Sequence, residues 1–152
     1  MDKGWIWLDM DGTIADLYSV NGWLDDLNAF NTRPYRNAGM IYDLLKIMPV
    51  LVELKMSGYK IGIISWCSKA HNADYDKAVI EAKMEWLKKY LFDAVLDKVL
   101  ITAYGKRKAD TCRKYGKGIL VDDEERNRKE WDLGTTIDAN KNIIAELREL
   151  LA

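Results

Sequence analysis

Hydrophobic and polar positions along the chain fall into two alternating regimes. Short, continuously apolar runs recur at Gly4 to Asp9 (GWIWLD), Lys60 to Ser65 (KIGIIS), Lys98 to Thr102 (KVLIT), Gly118 to Asp122 (GILVD) and Thr135 to Asp138 (TTID). Runs of this length without a polar alternation predict strands of a parallel sheet covered on both faces. Between them the apolar positions recur at helical spacing. In "MPVLVELKMSGYK" Pro49 suits a first helical turn and Gly58 a stop, with Leu51, Leu54 and Lys55 on one face. Residues 70 to 91 set Val79, Ala82, Met84, Trp86 and Leu87 among Lys and Glu, which predicts an amphipathic helix. "NKNIIAELRELLA" predicts a last helix with Asn140 as its cap. Strand and helix in this alternation predict an α/β fold: a three-layer, doubly wound, Rossmann-like parallel sheet of about five strands.

Residues 14 to 47 break the rhythm. They are too long for an ordinary connection and too short for a second domain. Tyr18, Trp23, Phe30 and Tyr35 lie here with Asp25, Asp26 and the charged "TRPYRN". The expectation is a small helical cap of two helices, roughly 22 to 31 and 38 to 46, joined around Arg33 and Pro34 and inserted after the first strand of a single domain spanning 1 to 152. The 152 residues, 49% apolar with six Trp, are ample for one core. A net charge of -1, from 23 basic and 24 acidic residues, offers no broad basic face for extended nucleic acid or a membrane. Cys67 and Cys112 lack a paired-motif spacing and read as structural thiols in a reducing compartment. With neither a signal-like apolar segment nor a membrane-length run, the expected location is cytoplasmic.

Ligands of open parallel sheets bind beyond the carboxyl ends of the strands. The first run ends in Asp9, with Asp11, Gly12 and Thr13 close behind; the second ends in Ser65; the fourth in Asp122 and Asp123. "AYGKRKAD" places Lys106, Arg107 and Lys108 before the fourth run. Acidic ends, a hydroxyl end and a basic loop on one rim suit a divalent cation beside an anion. Asp9, the carbonyl of Asp11, and Asp122 offer the hard oxygens that Mg²⁺ prefers. Ser65, the neighbouring backbone N–H groups at Trp66, and one lysine suit phosphoryl oxygens. Asp9 is then placed to attack phosphorus, and Asp11 to protonate the leaving oxygen and later activate water.

"DMDGTIAD", "IGIIS" and "ILVDDEERN", in this order over nearly the whole chain, resemble the motifs of the haloacid dehalogenase-like superfamily; "WLDMDGTIADLY" and the paired Asp are most similar to those of the 5'(3')-deoxyribonucleotidases. The resemblance implies Asp9 as nucleophile, Asp11 as general acid and base, Ser65 and a lysine on phosphate, Asp122 on Mg²⁺, and Asp123 behind them, orienting the lysine or a metal-bound water. Of the two lysines, Gly-x-x-Lys entering a helix favours Lys108 over Lys106. The cap is shorter than in the better-known nucleotidases, which bears on substrate more than on chemistry.

The expected activity is hydrolysis of a small phosphorylated substrate, a nucleoside or deoxynucleoside 5'-monophosphate, through an aspartyl-phosphate. The rival enzyme reading is a phosphatase for a polynucleotide or protein end. The rival outside enzymes is a phosphate-binding module that keeps the fold; Asp11→Asn separates the two, since only an enzyme loses turnover. A homodimer that borrows a neighbour's surface as its lid is compatible with the sequence and has no support in it. Trp5 and Trp7 read as packing, His71 as a surface or helix-start residue, and Arg33 and Arg36 as exposed loop residues by default. Tyr18, Trp23 and Trp66 suit either cap packing or stacking on a base.

Overall fold

The alternation of side chains along the first strand organises the whole molecule. In the computed structural model, which describes residues 2–90 and 92–152, β1 (Gly4–Leu8) is buried along its full length. Ile6 and Leu8 face one side and Trp5 and Trp7 the other, so the two layers receive different side chains. The chain continues through β2 (Ala15–Asp16), α1 (Trp23–Asn28), α2 (Arg33–Asn37), β3 (Gly39–Met40), α3 (Leu44–Met56), β4 (Tyr59–Trp66), α4 (Ala73–Lys89) and β5 (Lys98–Thr102). It ends with α5 (Lys108–Cys112), β6 (Gly118–Asp122), α6 (Glu125–Lys129), β7 (Thr136–Asp138) and α7 (Ile143–Glu149). Five strands form one parallel sheet in the order β5-β4-β1-β6-β7. This is the expected α/β, doubly wound, Rossmann-like architecture.

Ile47, Val50, Leu51 and Leu54 of α3, Trp86 and Leu87 of α4, and Ile143 and Leu147 of α7 pack with Ile6 and Leu8. On the opposite face Ala109 and Cys112 of α5, with Trp131, cover Trp5 and Trp7. The two indoles stack with ring centroids 4.6 Å apart. Trp7 fits because its neighbours across the sheet are small. A Cβ at Gly62 of β4 would lie 2.4 Å from the Trp7 ring, and one at Gly118 of β6 would lie 3.0 Å from it.

Helix boundaries differ from the sequence reading where two local signals competed. α3 begins at Leu44 instead of near Pro49, because Asp43 caps it by accepting from the Leu45 N–H at 2.9 Å. Pro49 therefore stands inside the helix, and residues 44 to 47, expected in the insertion, form the first turn of α3. The expected cap helix at 38 to 46 is absent; instead β3 pairs antiparallel with β2 and closes the segment into a loop. α4 starts at Ala73, capped by Asn72 on the Tyr75 N–H at 2.9 Å; Leu91, where the helix was expected to end, lies outside the described residues. Asn142 caps α7. Asn140, expected in that role, bonds to Asp138 and to the Asp123 carbonyl. No helix among the described residues is long and apolar enough to cross a membrane.

Candidate active site

The sheet order reverses direction between β1 and β6, and the turns after these two strands open side by side. After β1 the Met10 carbonyl accepts from the N–H groups of Thr13, Ile14 and Ala15 at 2.9–3.1 Å, a tight turn that Gly12 permits at φ +81°. The turn folds Thr13 inward, fully buried, and its hydroxyl donates to Asp9 Oδ2 at 3.0 Å. After β6 the Asp122 carboxylate is fully buried. Its Oδ1 accepts from the Glu124 N–H at 2.9 Å, and its Oδ2 accepts from Asn127 Nδ2 at 3.1 Å.

Lys108, the first residue of α5, reaches between the two strand ends. Its Nζ donates to Asp9 Oδ1 at 2.8 Å and to Asp122 Oδ2 at 2.7 Å. Burial alone would lower the lysine's pKa, yet Asp9 and Asp122 outweigh it and hold the group above its ordinary range. Lys106 is exposed and contributes a carbonyl, which accepts from Trp66 Nε1 at 2.8 Å. Of the two lysines left open by spacing, Lys108 is the one that meets the carboxylates.

Asp9, Asp122 and Asp123 offer carboxylate oxygens that all lie within 4.8 Å of one another. Burial, reinforced by Asp9, pushes Asp122 up to about 6 and Asp123 up to about 8. Asp123 Oδ1 is buried without a hydrogen-bond partner. Three carboxylic groups share one lysine here, and a buried, orphaned oxygen on one of them fits a hard divalent cation. Asp123, which the resemblance set behind the ligands, offers its own oxygen to this group. Asp11 offers no side-chain oxygen to it.

The Asp11 carboxylate turns instead to α4. Lys83 Nζ donates to Asp11 Oδ2 at 2.9 Å, to Ser65 Oγ at 2.7 Å and to the Trp66 carbonyl at 2.8 Å. Burial raises the Asp11 pKa against the pull of Lys83, with Asp9 adding to the rise. Sequence reasoning missed Lys83, Thr13 and Asn127. The signal for Lys83 was its position: it lies four residues after Val79 and four before Leu87, on the buried face of α4, where an apolar residue is expected.

Trp66 is expected to meet phosphate through its backbone N–H, and its side chain is engaged elsewhere. Its indole N–H is used on Lys106, and its ring stands 5.3 Å from Lys108 Nζ and 5.6 Å from the Arg126 guanidinium. The side chain thus walls in Lys108. Arg33 and Arg36 lie away from the carboxylates: Arg33 pairs with Asp26 inside the insertion and Arg36 ties the insertion to Glu85 of α4. His71 is exposed, with its ring edge-on to Tyr104. A cleft of about 500 Å³ opens over Asp9, Asp11 and Ser65, walled on the insertion side by Tyr18, Trp23 and Leu27.

Two solved structures align over 99% of this chain. One is a D,D-heptose 1,7-bisphosphate phosphatase from Burkholderia thailandensis, at 13% identity, a TM-score of 0.59 and 99% of its own length. The other is a D,D-heptose 1,7-bisphosphate phosphatase from B. bronchiseptica complexed with magnesium and phosphate, at 12% identity, a TM-score of 0.57 and 98% of its length. The chain shares the α/β fold of these two proteins over nearly its full length. No protein-family model and no curated protein sequence matches it. Within this fold, the rim between β1 and β6 is where the acidic cluster, Lys108 and the Asp11–Lys83–Ser65 group converge.

Proposed function

We propose that the chain is a Mg²⁺-dependent phosphomonoesterase that works through an aspartyl-phosphate on Asp9. The observation that carries the reading is the placement of two different carboxylate environments side by side: a three-carboxylate cluster with an unpartnered oxygen, and a separate Asp11 held by Lys83 with a raised pKa. The first suits a metal and a nucleophile, the second an acid. One structural neighbour is complexed with magnesium and phosphate, which supports the same pairing here.

Asp9, Asp122 and Asp123 would hold Mg²⁺, which would offset phosphoryl charge and polarise the ester. A carboxylate oxygen of Asp9, steadied by Thr13 and Lys108, forms a bond to phosphorus as the bond to the ester oxygen breaks. Asp11 gives its proton to that leaving oxygen, and the alcohol departs. Asp11, now ionised, takes a proton from water as the water oxygen bonds to phosphorus and the Asp9–phosphorus bond breaks, releasing phosphate. Lys108 and the Ser65 hydroxyl hold the phosphoryl oxygens.

The aromatic wall of Tyr18 and Trp23 supports a nucleoside monophosphate as substrate, since a base presents a flat apolar face and a bare sugar does not. A sugar phosphate is the second reading, favoured by what the structural neighbours act on. We take the insertion of residues 14 to 47, less the first turn of α3, as a cap over this cleft within a single domain. The two free, buried thiols, Cys67 and Cys112, support a cytoplasmic setting. The test is phosphate release from ribo- and deoxynucleoside monophosphates and sugar phosphates, with Mg²⁺ or EDTA, for wild type and Asp9→Asn. Metal-dependent release from one class, absent in the variant, is the expected result. No release from any ester, with metal bound, would give the reading up for a phosphate-binding module.

A further inference from the structure

Lys83 is an ammonium with nothing left to offer a ligand. It has three N–H donors, and Asp11 Oδ2, Ser65 Oγ and the Trp66 carbonyl accept all three, at 2.9, 2.7 and 2.8 Å. It is 1% exposed, and the Tyr35 ring from α2 sits 5.1 Å from its nitrogen. The Trp66 carbonyl belongs to β4 and is fixed by the sheet, so it anchors the ammonium. From that anchor, the other two donors dictate where Ser65 and Asp11 stand.

The effect on Ser65 follows from the direction of the bond. Because Ser65 Oγ accepts from Lys83, its own proton must point elsewhere. Among the described residues no acceptor takes that proton, and Ser65 lines the cleft above Asp9. A hydroxyl locked as an acceptor on its buried side is a donor on its open side. The effect on Asp11 is to fix the Oδ2 side of the carboxyl, leaving Oδ1 for proton transfer.

We propose that Lys83 is a positioning residue: it aims the Ser65 hydroxyl at the phosphoryl oxygens and holds Asp11 against the leaving oxygen, while never touching the substrate. The assignment rests on the phosphomonoesterase reading. It separates Lys83 from Lys108, whose two carboxylate bonds account for only two of its three donors.

Lys83→Met keeps the length of the side chain and removes the donors. In wild-type background it should lower kcat/KM for a nucleoside monophosphate on the order of 100-fold, the cost of misplacing reacting groups. The loss should be much smaller for p-nitrophenyl phosphate, whose leaving anion needs no proton. In an Asp11→Asn background Lys83→Met should add little further loss in turnover. In a Ser65→Ala background it should add little further loss in inorganic phosphate binding. An equal loss in every background and on both esters, or no loss in any, overturns the assignment while the phosphomonoesterase reading stands. Wild type that hydrolyses neither ester overturns that reading and this assignment with it. If Lys83→Met loses its fold by circular dichroism, Lys83→Leu, which also lacks donors, runs the same cycle against the same outcomes.

Discussion

A methyl group on Gly12 would sit 2.2 Å from Asp123 Oδ2, and the backbone there has φ +81°. Gly12 is therefore fixed twice, by the left-handed turn and by the carboxylate packed against it. Gly12→Ala should push Asp123 out of the acidic cluster and weaken Mg²⁺ binding about 10–100-fold, as displaced metal-site partners do. Calorimetric titration of Mg²⁺ checks this; unchanged affinity would remove Asp123 from the ligands. The same residue gives the metal-free protein a pH signature. Asp123 titrates at about 8 and Asp122 at about 6 in the fold, both above the ordinary 3.8, because burial and neighbouring carboxylates disfavour their charge. Between 3.8 and these values the folded chain holds protons that the unfolded chain has lost, so stability must fall as pH rises. The fall is steepest up to about 6 and continues to about 8. Thermal melts in EDTA from pH 4 to 9 should show this decline, Asp123→Asn should flatten its upper part, and Mg²⁺ should reverse it most strongly at high pH. Melting temperatures that climb through this window in EDTA would contradict the assigned environment of Asp123.

Elements carry their own constraints, and these decide what could be read from the chain. β1, β4 and β6 were legible because a parallel strand covered on both faces must be continuously apolar, and the rim acids Asp9, Asp122 and Asp123 stand at or beside the ends of such strands. Helix starts were less legible because Asp43, Asn72 and Asn142 competed with equally plausible neighbours, and only tertiary packing chose among them. Lys83 escaped notice because helical periodicity marks which positions are buried and carries no information on a partner across the fold. The fit of Trp7 between strands was equally hidden, since Gly62 and Gly118 are far from it in sequence. Gly62→Ala forces a Cβ to within 2.4 Å of the indole and should cost about 1–3 kcal/mol, the usual penalty of overpacking. Chemical denaturation reads that loss, with specific activity at low temperature retained. Asn72→Ala, which strips the cap from α4, should cost about 1 kcal/mol. Lys83 lies well inside that helix, so fraying at its start should lower the melting temperature and leave any turnover of the folded protein intact. A loss of turnover without loss of stability would mean that the helix start itself shapes the site.

At the scale of the molecule, the reversal of strand order puts the strand that ends at Asp9 beside the strand that ends at Asp122, and the segment after β1 folds back over both. That segment is tied to α4 by the Tyr75 hydroxyl on the Asn31 carbonyl at 2.9 Å, by Arg36 on Glu85, and by Tyr35 over Lys83. Its position is thus coupled to the helix that holds Asp11 and Ser65. Opposite the carboxylates it presents Trp23, edge-on to Tyr18 with ring centroids 5.0 Å apart, and Tyr18 is 48% exposed. Both rings line the cleft, where a substrate could reach them. If they stack on a base, Trp23→Ala should raise KM for nucleoside monophosphates on the order of tenfold, within the range of base–aromatic stacking. A sugar phosphate of the same charge, which has no base to lose, should keep its kcat/KM. Equal losses on both substrates would mean that Trp23 shapes the cleft as a whole. No loss on either would leave the neighbours' sugar phosphates as the better guide to what this cleft accepts.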